Sequence, residues 1–221
     1  MLLDLLLPRR CACCGLAGAD ACRECLERLP RIRPPICDRC GAPTQWPVSR
    51  CRECSGRRLG FETARAAVEY DEAVRRLVAA WKERGLRRLA EGAADLVVTV
   101  LARPAAGALA FVPPDPDRRL RRGHHPAAAL ASLLAAAWEL PLIPTLVRRS
   151  GGPRQRGLSL ADRRRNVRDV FRASRAPPAR VVLVDDVYTT GATASEAARV
   201  LRRAGAARVD VVTFARTVRR G

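Results

Sequence analysis

Eight of the nine cysteines in this chain fall into four C-x-x-C pairs within the first 58 residues, and that spacing restricts what the segment can become. The pairs are Cys11 with Cys14, Cys22 with Cys25, Cys37 with Cys40, and Cys51 with Cys54. Two thiolates two residues apart form a knuckle that bites one metal ion, and a second knuckle completes a closed tetrahedral zinc site. The short spacers favour sequential sites, 11/14/22/25 and 37/40/51/54, over an interleaved arrangement. Eight ligands therefore imply two zinc ions, both structural, because four thiolates leave no open position for a substrate. Cys13 is left over, or competes with Cys11, since the run CACC permits either choice. A segment with so few large apolar residues depends on metal to fold. The odd cysteine count and the metal spacing argue against a disulfide framework and for a reducing, cytoplasmic compartment.

From residue 61 onward the pattern changes to apolar helices alternating with apolar strands. The expected organisation is a zinc module at 1–58 and an α/β domain at 61–221, with the boundary near Ser55 to Gly60. Asp71 reads as an N-cap, and Val74, Leu77, Val78 and Trp81 follow at helical spacing up to Gly85. A second helix is expected over 86–101, a strand over 109–112, a helix opened by Pro126 and running to about Trp138, and a strand over 145–148. Residues 149–168 are polar and glycine-bearing, long enough for a functional loop. A short strand at 170–172, a buried-type strand at 180–185, a helix over 193–204 closed by Gly205 and a last strand at 208–215 complete the pattern. Such alternation predicts a parallel sheet covered on both faces, with ligands beyond the carboxyl ends of its strands.

The most specific stretch is VVLVDDVYTTGATASEAARVL, residues 181–201. Four apolar residues deliver Asp185 and Asp186 to a strand end, and Thr189, Thr190, Gly191, Ala192 and Thr193 turn the chain into a helix. A helix start offers unpaired N–H groups and a positive dipole end, so a phosphate is the expected guest. Gly191 allows close backbone approach, and the threonine hydroxyls add donors. The two carboxylates would repel a phosphate unless they bind something else, such as sugar hydroxyls or a magnesium ion. This stretch resembles the PRPP-binding motif of type I phosphoribosyltransferases. By that resemblance Asp185 and Asp186 hold the ribose 2′- and 3′-hydroxyls and orient the sugar for catalysis, and residues 189–193 hold the 5-phosphate.

A wider resemblance covers nearly the whole chain. The pieces DLLLPRRCACC, WKERGLRRLA, VPPDPDRRLRRG, RQRGLSLADRRRNVRDVF and the acidic motif occur in the order found in the ComF family of competence-associated proteins. The resemblance implies a type I phosphoribosyltransferase-like parallel sheet flanked by helices, preceded by a double zinc ribbon. Pro113, Pro114 and Asp115 would lie in a pyrophosphate loop, and residues 149–168 would close over the ligand. Arg121, Arg122, Arg154, Gln155, Arg164, Arg165 and Asn166 become candidate anion contacts. Lys82 matches a family lysine, although its place on an amphipathic helix reads as a surface position. Where the family shows Arg-Gly-Phe-Asn-Gln, this chain has Arg122, Gly123, His124, His125 and Pro126, without the amide pair. His124 and His125 are read as solvated loop residues, with proton transfer or phosphate contact as the sharper alternative.

The formal charge is +19, lowered to roughly +15 by two four-thiolate zinc sites. Such a field attracts polyanions, and an arginine-rich proteome would produce the same bias. Arg31, Arg33, Arg39, Arg50, Arg52, Arg57 and Arg58 surround the second zinc site with Trp46 nearby, a combination suited to phosphate contact and base stacking on single-stranded DNA. The family resemblance implies DNA uptake or processing, with PRPP and Mg²⁺ as ligands and DNA-uptake proteins as possible partners. It also leaves two alternatives: an active transferase that releases pyrophosphate, or a sensor that binds PRPP without chemistry. The opening MLLDLLLPRR is too short to span a bilayer and lacks a basic leader, so it reads as a short helix packed on the zinc module.

Overall fold

The computed structural model describes residues 9–114, 123–149 and 170–219. The expected helix within residues 1–8 lies outside them. Within the described residues a four-stranded parallel sheet forms the centre, built from β1 (Ala64–Glu69), β2 (Ala108–Phe111), β5 (Arg180–Tyr188) and β6 (Arg208–Arg216) in the order β1-β6-β5-β2. β3 (Leu146–Arg148) and β4 (Phe171–Ala173) make a separate antiparallel pair.

Alternating side chains of the central strands feed two cores. Val182 and Val184 of β5 and Val212 and Phe214 of β6 meet helices α2 (Glu72–Glu83), α3 (Leu89–Val100) and α4 (Pro126–Ala137) on one face. On the other face, Val181, Leu183, Val209 and Val211 pack with α5 (Ala192–Arg203), Phe61, Leu146 and Phe171. A strand buried on both faces reads as a continuous apolar run, which is why VVLV is uninterrupted.

Local signals set the helix ends. The Asp71 carboxylate accepts from Val74 N at 2.8 Å, burying Val74, Leu77, Val78 and Trp81 beneath it. α2 stops where Gly85 takes φ 71°, the left-handed geometry that suits glycine after a helix. The next helix begins at Leu89 rather than Leu86, because Leu89 N and Ala90 N bond the carbonyls of Leu86 and Arg87 in a tighter i to i−3 turn first.

β1 was not expected from the sequence. Its run ARAAVE carries helix formers, but it fills a sheet position through pairing with β6. Its outer edge is covered by the segment after helix α1 (Arg23–Glu27): Ile32 N donates to Ala67 O at 2.9 Å and Glu69 N to Pro30 O at 2.8 Å. Leu29 and Ile32 are buried there. The cysteine-rich segment thus packs directly on the sheet edge and closes an otherwise open ladder.

Candidate functional site

β5 continues to Tyr188, three residues further than its sequence pattern indicates, because Asp185, Val187 and Tyr188 keep their partners Thr213, Ala215 and Arg216 on β6. On the opposite flank β2 ends at Phe111, and Val112 N makes the last bond to Val184 O at 3.0 Å. Pro113 and Pro114 follow, and proline has no amide hydrogen to extend the ladder. The tip of β5 therefore overruns its neighbour and forms one wall of a cleft of about 720 Å³. Asp185, Asp186, Thr189, Thr193, Pro113 and Pro114 all line it. This volume lies within the roughly 300–1,000 Å³ usual for small-molecule sites.

The Thr189–Thr193 turn leads into α5. Gly191 sits at φ 70° as the N-cap residue without a side-chain cap, and Thr190 Oγ1 accepts weakly from Ala192 N at 3.4 Å. A Cβ on Gly191 would fall 2.2 Å from the Tyr188 hydroxyl, so both backbone angle and space require glycine. Gly191, Ala192 and Thr193 surround a small hollow together with Asp185 and Tyr188. Its backbone donors are those of an uncapped helix start.

Electrostatics distinguish the two aspartates. Burial first, and then the adjacent Asp186 charge, push the Asp185 carboxyl up to about 7, against the opposing pull of Lys82. Asp185 also accepts from Asp186 N at 2.9 Å. Asp186 is held by Lys82 Nζ at 2.6 Å. Lys82 is therefore not the surface residue its helix position suggests. It belongs to the site, with only 24% of its side chain exposed. Arg148 joins the cleft from β3.

The histidines also depart from the solvated reading. His124 Nε2 meets the Trp81 carbonyl at 2.6 Å, and His125 Nδ1 accepts from Ala128 N at 3.1 Å as the N-cap of α4. Both line the cleft, but each is engaged in holding backbone. Arg121, Arg122, Asp115, Arg154, Gln155, Arg164, Arg165 and Asn166 lie outside the described residues.

The cysteines gather into two groups, Cys11, Cys14, Cys22 and Cys25, and Cys37, Cys40, Cys51 and Cys54, each with ligand atoms within 4.8 Å of one another. Sulfur separations of 3.8 Å for Cys14–Cys22, 3.6 Å for Cys37–Cys54 and 3.4 Å for Cys40–Cys51 approach the spacing of about 3.8 Å that a tetrahedral Zn–S length implies. Backbone N–H groups aim at the sulfurs, as Cys22 N does at Cys11 and Cys51 N at Cys37. Although burial raises both thiols, these donors hold Cys11 down to about 6 and Cys37 to about 7. The residues fit two structural zinc ions. Cys13 stays out of the first group, its thiol directed at Ala73 O at 3.7 Å and pushed up to about 11 by burial.

A parallel sheet flanked by helices, an acidic strand tip beside a threonine–glycine turn, and two four-cysteine sites define an α/β protein carrying a double zinc ribbon. The model of the double zinc ribbon domain matches residues 2–55. Competence protein F of Haemophilus influenzae is 29% identical over 213 residues, covering 91% of this chain and 92% of that protein. DNA utilization protein YhgH of Salmonella typhimurium is 30% identical over 230 residues, covering 97% of this chain and all of that protein, 100%. Competence protein ComFC of Streptococcus pneumoniae is 26% identical, covering 87% of this chain and 85% of its own. The chain belongs to this ComF family. A solved structure titled as the allosteric regulatory enzyme of purine biosynthesis aligns with TM-score 0.39 and 26% identity over 58% of this chain, which spans 26% of that enzyme. Among the described residues no helix is long and apolar enough to cross a membrane.

Metal analysis checks the ligand groups. Wild-type protein and Cys13→Ser are expected to carry about two zinc ions per chain, and Cys14→Ser about one. Cys11→Ser should likewise carry about one, and loss of an ion from Cys13→Ser with none lost from Cys11→Ser would reverse the assignment.

Proposed function

We propose that this protein binds PRPP, or a related ribose 5-phosphate ligand with Mg²⁺, in the cleft at the tip of β5, and engages single-stranded DNA through its zinc ribbons in cytoplasmic DNA uptake or processing. The observation that carries the ligand reading is the adjacency of an acidic pair and an uncapped helix start on one cleft wall. Asp185 and Asp186 accept from ribose hydroxyls, while the amides and hydroxyls of Thr189–Thr193 receive the 5-phosphate. Mg²⁺ supplies charge neutralisation for the pyrophosphate when bound. Lys82 pairs with Asp186 in the free protein and offsets part of the repulsion between the two carboxylates.

For DNA, the supporting surface is Trp46, 64% exposed, with exposed Arg33, Arg50, Arg52 and Arg58 on the same ribbon. Arg39 is unsuited to it, because it bonds Glu62 at 3.2 Å and the Leu59 carbonyl with a side chain only 17% exposed. The names of the relatives, competence protein F and DNA utilization protein YhgH, agree with this class of partner, and DNA-uptake proteins are further candidates. A transferase reading draws on the extension of the cleft along α2 to Tyr70, Val78 and Ala79, which leaves room for an acceptor beyond the sugar. Pyrophosphate release on adding nucleobases or amines would establish it.

Calorimetric titration of PRPP with Mg²⁺ is expected to show binding to wild type and its loss by about 100-fold in the Asp185→Asn, Asp186→Asn double variant, since two hydrogen-bonding groups of charged type are removed. Equal binding by both proteins would reject the site. For single-stranded DNA, Trp46→Ala is expected to weaken binding by about 1–3 kcal/mol. Each removed arginine should lower the slope of log K against log salt by about 0.7, and unchanged affinity and slope would reject the ribbon as the DNA surface.

A further inference from the structure

The second zinc ribbon reaches into the cleft region from behind. Arg57 follows the Cys51–Cys54 knuckle directly: its N–H donates to Cys54 O at 3.2 Å, and its guanidinium donates to Glu53 O at 3.4 Å and to Thr190 O at 2.6 Å. Thr189 O accepts from Thr217 Oγ1 at 3.0 Å. In a planar trans peptide the C=O and the following N–H point in opposite directions. Tying the Thr189 and Thr190 carbonyls toward Thr217 and the ribbon therefore turns the N–H groups of Thr190 and Gly191 the other way.

A second strut runs through Arg216, which is 1% exposed. It donates to Cys40 O, forms an ion pair with Glu53 at 2.8 Å, and lies 5.1 Å from the centre of the Tyr188 ring. Tyr188 in turn sits under Gly191. A third contact clamps the helix start: Gly60 N donates to Ser195 Oγ at 2.9 Å, and Arg199 donates to Arg58 O. A Cβ on Gly60 would lie 2.2 Å from the Ser195 carbonyl, so linker and helix are in direct backbone contact. No comparable contact joins the first ribbon to the turn among the described residues.

We infer that the second zinc site is part of the ligand site's foundation, with Arg57 and Arg216 as positioning residues that fix the peptide orientations of the Thr189–Thr193 turn. The inference rests on the ribose-phosphate reading for its consequence in binding, but the positioning of the turn can be tested without ligand. Metal at the 37/40/51/54 group holds the knuckle, the knuckle aims Arg57, and Arg57 holds Thr190. Metal at the 11/14/22/25 group is not on this path.

The experiment uses the full zinc-loaded chain and its variants Arg57→Ala, Arg57→Lys and Cys54→Ser, with Arg28→Ala as a charge-matched control on the first ribbon. Two quantities are read: hydrogen exchange of the amides in 188–195, and affinity for PRPP with Mg²⁺. Arg57→Ala and Cys54→Ser should each speed exchange of the turn and weaken PRPP by about tenfold, the effect of losing one charged hydrogen bond. Arg57→Lys should restore most of both, while Arg28→Ala should stay within about twofold of wild type, a difference worth under half a kcal/mol. If Cys54→Ser does not fold, Arg57→Ala and its lysine rescue carry the test. Unchanged exchange in Arg57→Ala overturns the positioning role. A turn that loosens as described in a protein that never binds PRPP upholds the positioning role and rejects the ligand reading.

Discussion

The arrangement depends on a mismatch between neighbouring strands. β2 runs into Pro113 and Pro114 and can donate no further ladder bonds, while β5 keeps its bonds to β6 as far as Tyr188. The last residues of β5 are thus paired on one side and open on the other. Asp185 and Asp186 occupy that overrun, and both line the cleft. The raised Asp185 and the Lys82–Asp186 ion pair express the same constraint: two acids in a half-enclosed place need a cation or a polar ligand.

The zinc ribbons are integrated with that sheet instead of being strung along a linker. Residues 30–32 cover the outer edge of β1, and Arg216 is buried against Glu53 and the Cys40 carbonyl. A buried arginine is tolerated only where its donors are met and its charge is paired. Here the carboxylate, the backbone carbonyls and the Tyr188 ring meet those needs. A metal bound at the 37/40/51/54 group would therefore support more than its own small fold, because the knuckles supply the groups that satisfy a residue at the end of the central strand β6.

Much of this was legible in the sequence where the chemistry is local. The C-x-x-C spacing separates the two ligand groups, the apolar run VVLV marks a strand buried on both faces, and Asp71 three residues before Val74 marks a helix start. What the sequence concealed depends on distant partners. β1 has weak strand character and exists because β6 lies beside it. Lys82 reads as a surface lysine until Asp186, 104 residues away, is folded against it. His125 caps α4 with its ring, which no period or spacing indicates. Arg57 and Arg216 look like members of a general basic excess, and only the folded chain turns them inward.

The central claim is that a sugar and its phosphate are divided between a strand tip and the turn that follows. A crystal structure of the zinc-loaded protein grown with Mg²⁺ and PRPP, or with ribose 5-phosphate, tests it most directly. The predicted electron density has the ribose hydroxyls within hydrogen-bond distance of Asp185 and Asp186, and the 5-phosphate on the amides of residues 190–193. Density for the phosphate against the ribbons, or a ligand lying across the cleft with its hydroxyls turned away from both aspartates, would contradict it.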